Sequence, residues 1–246
     1  MPGDDPSRAA ALSASTRALG VAGQADLVWG HLSLRDPDGR GVWMKASGRG
    51  FEEVTPRRTL LVSPEGEALA GQGRPHLEYP IHTEIMAVRP DVGAVVHTHG
   101  PAAVTFASLG VPLLPLSHDA VPFVDPDVPR HPSGRLISDR GLGARLTASL
   151  GDGAGCLMVS HGLVTVGSDL ASAVMHAVLL ERACAIQLRA LAAGGPTTWS
   201  DVDEVAQKRA ETWSVRQLSA GYAYLCRKAF PSGVGRFSPE APIPTE

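Results

Sequence analysis

The sequence has few cysteines, no excess of positive charge and no long apolar run, and each of these argues against a class of protein. Its three cysteines, Cys156, Cys184 and Cys226, are odd in number and far apart, which argues against a disulfide scaffold and favours reduced thiols. The net charge is −3 without a basic stripe, so we expect no nucleic-acid partner. The sequence contains no run of 18 apolar residues and no signal-peptide pattern, so we expect no membrane association and a cytoplasmic location.

The chain does contain enough apolar material for a sizeable core, since 43% of its 246 residues are hydrophobic. No repeat or low-complexity linker divides it, and we therefore predict one α/β domain over residues 1–195. For residues 196–246 we predict a helical extension that ends in a mobile tail rich in Pro and Gly.

Two patterns indicate the strands: alternation of apolar and polar residues, and short apolar runs. Two stretches of alternating pattern surround the turn sequences Asp36-Pro37-Asp38-Gly39 and Pro64-Glu65-Gly66, which predicts two β-hairpins. Apolar runs at residues 92–96, 155–160 and 163–167 predict three further strands. Since antiparallel hairpins and helices alternate along the chain, the pattern is typical of an α/β domain.

Helix signals fill most of the remaining chain. Pro101 fits the first turn of one helix, and Ser168 and Ser200 are expected to be the N-caps of the last two. The predicted helices cover residues 7–21, 81–88, 101–109, 139–150, 169–193 and 201–230. The Pro-rich segment 120–135 is predicted to be either an ordered loop at the mouth of a site or a surface connection.

Metal-binding chemistry is concentrated where the apolar run 92–96 ends in His97-Thr98-His99. Side chains on a strand alternate between faces, so His97 and His99 point the same way. His161 has a similar place, after an apolar run and before a glycine, and Glu78 can add a carboxylate. Two adjacent imidazoles are the start of a divalent metal site, which needs a third and often a fourth ligand. The alternative interpretation is that these histidines lie at the end of a strand and bind no metal.

Three neutral imidazoles and one carboxylate suit Zn²⁺, with Mn²⁺, Co²⁺ or Mg²⁺ as alternatives, and leave a position for a substrate. A metal ion in such a site acts as a Lewis acid toward a carbonyl or hydroxyl oxygen and stabilises an enolate. A carboxylate beside it can serve as acid or base.

The motifs GHLSLRD, KASGRG, EYPIHTEIMAVRPDVGAVVHTHG and SHGLVTVG occur in this order, and together they resemble the class II aldolase/adducin family. The resemblance covers roughly residues 8–193. It implies a three-layer α/β/α sandwich around a largely antiparallel sheet, and a homotetramer whose sites lie near subunit interfaces. It also implies three metal ligands, His97, His99 and His161, with Glu78 as the acid/base and Ser47-Gly48 as the turn that holds a substrate anion.

Two departures from the family pattern bear on the substrate. Members that use phosphorylated sugars carry Gly-Asn where this chain has Gly30-His31, and a hydroxyl-bearing or Lys-type pair where it has His76-Leu77. Leu77 cannot donate a hydrogen bond, which argues against a sugar phosphate. We expect His31 and His76 to bind a carboxylate or a phenolic oxygen instead; the alternative is that both are scaffold histidines.

The resemblance suggests three further site residues. His118 and Asp119 follow the metal strand where related enzymes place catalytic side chains, so either could deliver a proton. Tyr222 is similar to a C-terminal tyrosine of the family that reaches the site of a neighbouring subunit, although ordinary packing is the alternative.

Three functions are compatible with these residues. The leading hypothesis is a metal-dependent lyase, most simply a decarboxylase of a non-phosphorylated hydroxy-aromatic or β-oxo carboxylic acid. The second is a (retro-)aldolase or epimerase acting on a sugar or sugar phosphate. The third is a non-catalytic, adducin-like interaction domain, which the full set of three histidines and Glu78 argues against.

Overall fold

The computed structural model describes residues 5–230, and the predicted mobile tail lies outside the described residues from position 231 onward. The strands, labelled β1 to β8, are His31–Arg35, Val42–Lys45, Thr59–Val62, Ala68–Gly71, Ala94–Thr98, Arg130–His131, Gly155–Met158 and Gly162–Gly167. The helices, labelled α1 to α7, are Pro6–Leu19, Pro80–Val88, Pro101–Ala107, Arg140–Leu150, Leu170–Ala192, Val202–Glu211 and Val215–Ala229.

The eight strands form one sheet in the order β4-β3-β2-β1-β5-β8-β7-β6. Every neighbouring pair is antiparallel except β6 with β7. Both hairpins predicted from turn sequences are present, as β1–β2 and β3–β4. The predicted three-layer sandwich around a largely antiparallel sheet is confirmed, because helices cover both faces of this sheet.

Alternation along β5 shows how the two cores form. Ala94 and Val96 belong to the core that α1, α3, α5 and α7 cover, whereas Val95 belongs to the core under α2 and α4. His97 follows the same alternation and therefore lies on the face that carries α2. Strand β1 pairs with β5, and His31 lies opposite His97 in this register. His31 is therefore at the same end of the sheet as His97.

The longest helix, α5, is long and apolar enough to cross a membrane by length and composition. In this fold 67% of its apolar 18-residue stretch is buried, and the helix packs against the sheet and neighbouring helices. It therefore serves as the central helix of the core. Its N-cap is Asp169, whose carboxylate accepts a hydrogen bond from Ser172 N at 2.7 Å, and not Ser168 as the sequence suggested.

The prediction of one helix over residues 201–230 is wrong, because two helices occupy this stretch. The backbone leaves the helix at Thr212, which is extended, and Trp213 then adopts a left-handed conformation with φ of 59°. Ser214 and Gln217 then form a capping box that starts α7. The cap of α6 is Asp201 and not Ser200. The Pro-rich segment after position 117 is ordered as a 3-10 turn, His118–Phe123, followed by β6.

One contact ties the end of β5 to the core helix. Glu181 of α5 accepts hydrogen bonds from Ala102 N at 2.9 Å and from Ala103 N at 2.8 Å. These amides belong to the first turn of α3 and would otherwise have no partner within that helix. The contact therefore holds the turn that directly follows His99.

We expect Glu181→Ala to lower the free energy of unfolding by about 1–2 kcal/mol, because a helix N-terminus loses its cap. Chemical denaturation at a fixed protein concentration measures the change. Glu67→Ala, which removes an exposed carboxylate that makes no ion pair among the described residues, is the matched control and should leave stability unchanged. Equal stability of the Glu181→Ala variant and the natural protein would contradict this role.

Candidate metal centre

Four side chains converge at the end of the sheet where β5 finishes and β8 begins. One ligand atom from each of Glu78, His97, His99 and His161 lies within 4.8 Å of all the others. Glu78 Oε2 is 3.7 Å from His97 Nε2, and Glu78 Oε1 is 3.5 Å from His161 Nε2. Ligands held about 2.0–2.2 Å from a tetrahedral ion lie roughly 3.3–3.6 Å apart, so this spacing fits a metal.

The second nitrogen of two histidines is already fixed by the protein. His97 Nδ1 is 2.9 Å from the carbonyl oxygen of Leu163, and His99 Nδ1 is 2.8 Å from Asp26 Oδ2. A nitrogen that donates to an oxygen must carry the hydrogen, so Nε2 of both rings is left as a lone pair. Such outer hydrogen bonds commonly orient histidines that bind metals.

The cluster contains buried polar atoms that need a partner. His97 Nε2 and both ring nitrogens of His161 are buried and make no hydrogen bond to the described residues. Buried polar groups are normally satisfied, and a cation among them satisfies lone pairs that point inward. Burial, followed by the neighbouring His99, lowers the pKa of His97 well below its usual value, which keeps the ring in the form that binds metals.

Glu78 is the only carboxylate among the four. Its Oε1 accepts a hydrogen bond from Ile137 N at 2.7 Å. Burial raises the pKa of Glu78, but the imidazoles of His161 and His97 and the Ile137 N–H favour the carboxylate and lower the pKa to about 2 overall. Glu78 is therefore an anion that can bind a cation or accept a proton.

Two predicted substrate ligands, His31 and His76, lie beside the cluster. The ring centroids of His31 and His97 are 5.0 Å apart, and those of His31 and His76 are 4.5 Å apart. Burial, followed by the charge of Lys45, lowers the pKa of His76 to about 3. Its Nε2 is buried without a hydrogen-bond partner among the described residues. The two rings therefore bring neutral polar groups to the edge of the cluster.

Ser47 and Gly48 form the turn that follows β2, where Gly48 has a positive φ of 72°. Ser47 N donates to the carbonyl oxygen of Arg74 at 2.9 Å, which holds the turn against the segment that carries His76. The two predicted anion-binding elements, residues 47–48 and His76, are thus neighbours in the fold.

The other predicted site residues lie elsewhere in the described chain. Asp119 is paired with Arg182 of α5 at 2.9 Å, and the carbonyl oxygen of His118 accepts a hydrogen bond from Trp213. Tyr222 of α7 is half-buried against α1, where its hydroxyl contacts Ser15 Oγ at 2.7 Å. None of the hydrogen bonds within residues 5–230 joins these three to the cluster, so their roles stay predictions.

Sequence reasoning missed His82, Asp26 and Lys45. His82 of α2 is fully buried and contacts His31, and Asp26 orients His99. Lys45 is also fully buried; its Nζ donates to the carbonyls of Val28 and Arg49, and burial lowers its pKa to about 8. The available signal for His82 was its position four residues after Glu78, whereas Asp26 lies in an irregular segment without a pattern.

Comparison with known proteins agrees with this geometry. The family model for the class II aldolase and adducin N-terminal domain matches residues 10–188. The chain belongs to the class II aldolase and adducin family. Class II aldolases depend on divalent metals, and the donor set of this chain fits such an ion.

Relatives in the family include decarboxylases and aldolases. A 3,4-dihydroxyphthalate decarboxylase of Arthrobacter keyseri is 31% identical over 75% of this chain and 79% of its own length. The decarboxylase NovR of Streptomyces niveus is 33% identical over 68% of this chain and 63% of its own length, less than two thirds of it. The structure of an L-fuculose 1-phosphate aldolase from Glaciozyma antarctica is 30% identical, with a TM-score of 0.77, and covers 92% of this chain and 88% of that protein. This chain is accordingly a lyase, and the decarboxylases and aldolases that it resembles act on small molecules.

We expect the purified protein to bind about one divalent ion per subunit, with histidine nitrogens roughly 2.0–2.2 Å from the ion. Elemental analysis after metal-replete expression measures this content. His161→Ala should release most of the metal, whereas His176→Gln, outside the cluster, should retain it. Absence of stoichiometric metal in the natural protein, with activity unaffected by chelators, would contradict the assignment.

We expect Glu78→Gln to keep the fold and most of the metal but to lower turnover by about 10²–10⁴, the usual effect of losing a general acid or base. Steady-state kinetics at saturating substrate measures the loss. Glu84→Gln on α2, where the natural carboxylate pairs with Arg140, is the matched control and should retain turnover. Near-normal turnover of Glu78→Gln would show that another group moves the proton.

Proposed function

We propose that this chain is a metal-dependent decarboxylase of a non-phosphorylated hydroxy-aromatic or β-oxo carboxylic acid. The main support is the set of groups beside the metal cluster. His31 and His76 are both buried there, and burial lowers the pKa of His76 to about 3 and that of His31 well below its usual value. Each neutral ring can donate one N–H, which suits the single charge of a carboxylate or phenolate.

A phosphate dianion needs more donors than the imidazoles of His31 and His76 offer. Several charge-assisted hydrogen bonds normally surround its oxygens. Leu77, next to Glu78 in the chain, is 62% exposed and has no donor. Trp29, which is 56% exposed, precedes the Gly30-His31 pair. Apolar side chains next to site residues favour a substrate with a hydrocarbon or aromatic body.

The relatives support the same class of substrate. The name of the Arthrobacter protein describes removal of a carboxylate from a dihydroxylated aromatic acid, and NovR is also named as a decarboxylase. For this chain the analogous reaction breaks the bond between a ring or α-carbon and a carboxylate, and that carbon then takes a proton.

The residues of the site divide the work of this reaction. A divalent ion held by His97, His99 and His161 would supply a Lewis acid for a substrate oxygen. His31 and His76 bind and orient the acid through their N–H groups. Glu78, whose Oε1 is held by Ile137 N–H, moves a proton at Oε2 to or from the reacting carbon.

The second candidate is a (retro-)aldolase or epimerase acting on a sugar or sugar phosphate. The likeness to the L-fuculose 1-phosphate aldolase structure favours it, because the fold and the cluster geometry serve carbon–carbon cleavage equally well. The groups at positions 31, 76 and 77 argue against phosphate. A non-catalytic, adducin-like role has less support, since a scaffold has no need of four converging ligands.

We also propose zinc as the ion, a homotetramer with sites near subunit interfaces, and the cytoplasm as the location. Three imidazoles and one carboxylate are a frequent zinc donor set. His118, Asp119 and Tyr222 lie apart from the cluster of their own chain. In a tetramer they would be candidates for contributing to the site of a neighbouring subunit. The division into a catalytic domain over residues 1–195 and an extension from 196 remains part of this proposal.

A substrate panel tests the proposed reaction. We expect kcat/KM for hydroxy-aromatic or β-oxo acids to exceed that for fuculose 1-phosphate and ribulose 5-phosphate by about tenfold or more, since each unpaired phosphate acceptor costs about 1–3 kcal/mol. Release of carbon dioxide, measured with the zinc-loaded protein, reports the reaction. The Glu78→Gln variant run in parallel excludes contaminating activity.

Two outcomes would overturn the decarboxylase. Efficient cleavage or epimerisation of either phosphate, with no carbon dioxide from the acids, would establish the second candidate. Stoichiometric metal without turnover of any compound in the panel would favour a binding role.

A further inference from the structure

A chain of three buried polar side chains leads away from the metal cluster. His31 Nδ1 lies 2.6 Å from His82 Nε2, and His82 Nδ1 lies 2.7 Å from Ser33 Oγ. His31 is 2% exposed, and His82 and Ser33 are completely buried. We call these three residues, His31, His82 and Ser33 in this order, the relay.

The backbone explains why the three meet. His31 and Ser33 are two positions apart on β1, so their side chains share one face of the sheet. That face packs against α2, which presents His82 between them. Neither ring of the relay is one of the four clustered ligands, although His31 lies next to His97.

Both rings are neutral. They are buried, and no carboxylate among the described residues hydrogen-bonds to either of them. Burial lowers the pKa of His82 to about 3. The 2.6 Å contact between His31 Nδ1 and His82 Nε2 requires a hydrogen on one of these nitrogens and a lone pair on the other. A neutral imidazole has one N–H donor and one lone pair, so the relay can run in only two directions.

The hydroxyl of Ser33 selects one direction. Within residues 5–230 its only hydrogen-bond partner is His82 Nδ1, and a buried hydroxyl hydrogen without an acceptor is unfavourable. Ser33 therefore donates to His82 Nδ1, which makes that nitrogen the lone pair and puts the hydrogen of His82 on Nε2. His82 Nε2 then donates to His31 Nδ1, and the hydrogen of His31 is left on its own Nε2.

We propose that Ser33 and His82 are positioning residues that fix His31 as the tautomer with hydrogen on Nε2, so that it offers the site a donor and no acceptor. Such a ring binds an oxygen of a carboxylate or phenolate and discriminates against a group that must donate to it. The hydrogen placement stands on the relay alone, whereas the identity of the oxygen rests on the proposed function.

Neutron diffraction from deuterated crystals of the zinc-loaded protein tests the hydrogen placement directly. We expect deuterium on Ser33 Oγ directed at His82 Nδ1, and on Nε2 of both His82 and His31. Deuterium on Nδ1 of either ring would overturn the proposal. The natural protein alone decides this point, so no variant has to fold for the test to succeed, and the result does not depend on which reaction is catalysed.

A variant tests the positioning role. Ser33→Ala removes the group that sets the direction, so we expect deuterium on His31 Nδ1 in part of the molecules. Ser13→Ala, which removes another buried hydroxyl that donates to the Val54 carbonyl, is the matched control and should leave His31 unchanged. A Ser33→Ala variant that keeps His31 hydrogen wholly on Nε2 would refute a role for Ser33.

Kinetics separates positioning from general loss of structure. With an acid that the natural protein decarboxylates, we expect Ser33→Ala to raise KM about three- to tenfold while kcat changes by less than about twofold, since part of one hydrogen bond is lost on binding. An unchanged KM would contradict the inferred donor. Failure to decarboxylate any acid would refute the proposed function instead and leave the neutron result standing.

Discussion

The site depends on the register of β5 between β1 and β8. His31 pairs with His97 on one side, and Leu163 pairs with Thr98 on the other. Because side chains alternate along a strand, a slip of one residue would turn both histidines of the H-x-H pair to the opposite face. Gly162 shows how closely the strands meet: a Cβ there would lie 2.5 Å from the carbonyl oxygen of Thr98. A glycine at this position is therefore a condition for bringing His161 to the cluster.

Most titratable side chains buried at the site are imidazoles, which can be neutral, and this determines the charge of the site. Burial disfavours the charged form and lowers the pKa of His97 well below its usual value, so this ring can bind a cation through its lone pair. Glu78 is the exception, since three neighbouring donors or imidazoles keep it ionised inside the protein. One buried carboxylate beside unpaired nitrogen atoms favours binding of a positive ion, and this explains polar atoms that would otherwise destabilise the core.

Much of the fold was predictable because its signals are local. Turn sequences marked both hairpins, and apolar runs marked the central strands. The end of α6 was not predictable from periodicity, since the left-handed conformation of Trp213 and the capping box at Ser214 interrupt an otherwise helical pattern. That His97 and His99 point the same way could be predicted because H-x-H on a strand has a simple geometry. His82 and Asp26 were missed because their partners, His31 and His99, are 51 and 73 residues away in sequence.

The division of labour within the site explains how one family can hold several lyases. The four converging ligands carry chemistry that decarboxylation and aldol cleavage share, so they do not distinguish between substrates. Under the proposed function, discrimination comes from the groups beside the cluster, and in this chain the rings of His31 and His76 lie there. His31 in turn contacts His82, which contacts Ser33, and both of these residues are fully buried. Under the proposed function, a substitution at position 31 would therefore also change the contacts of His82 and Ser33, so that binding residue and supporting residues have to change together.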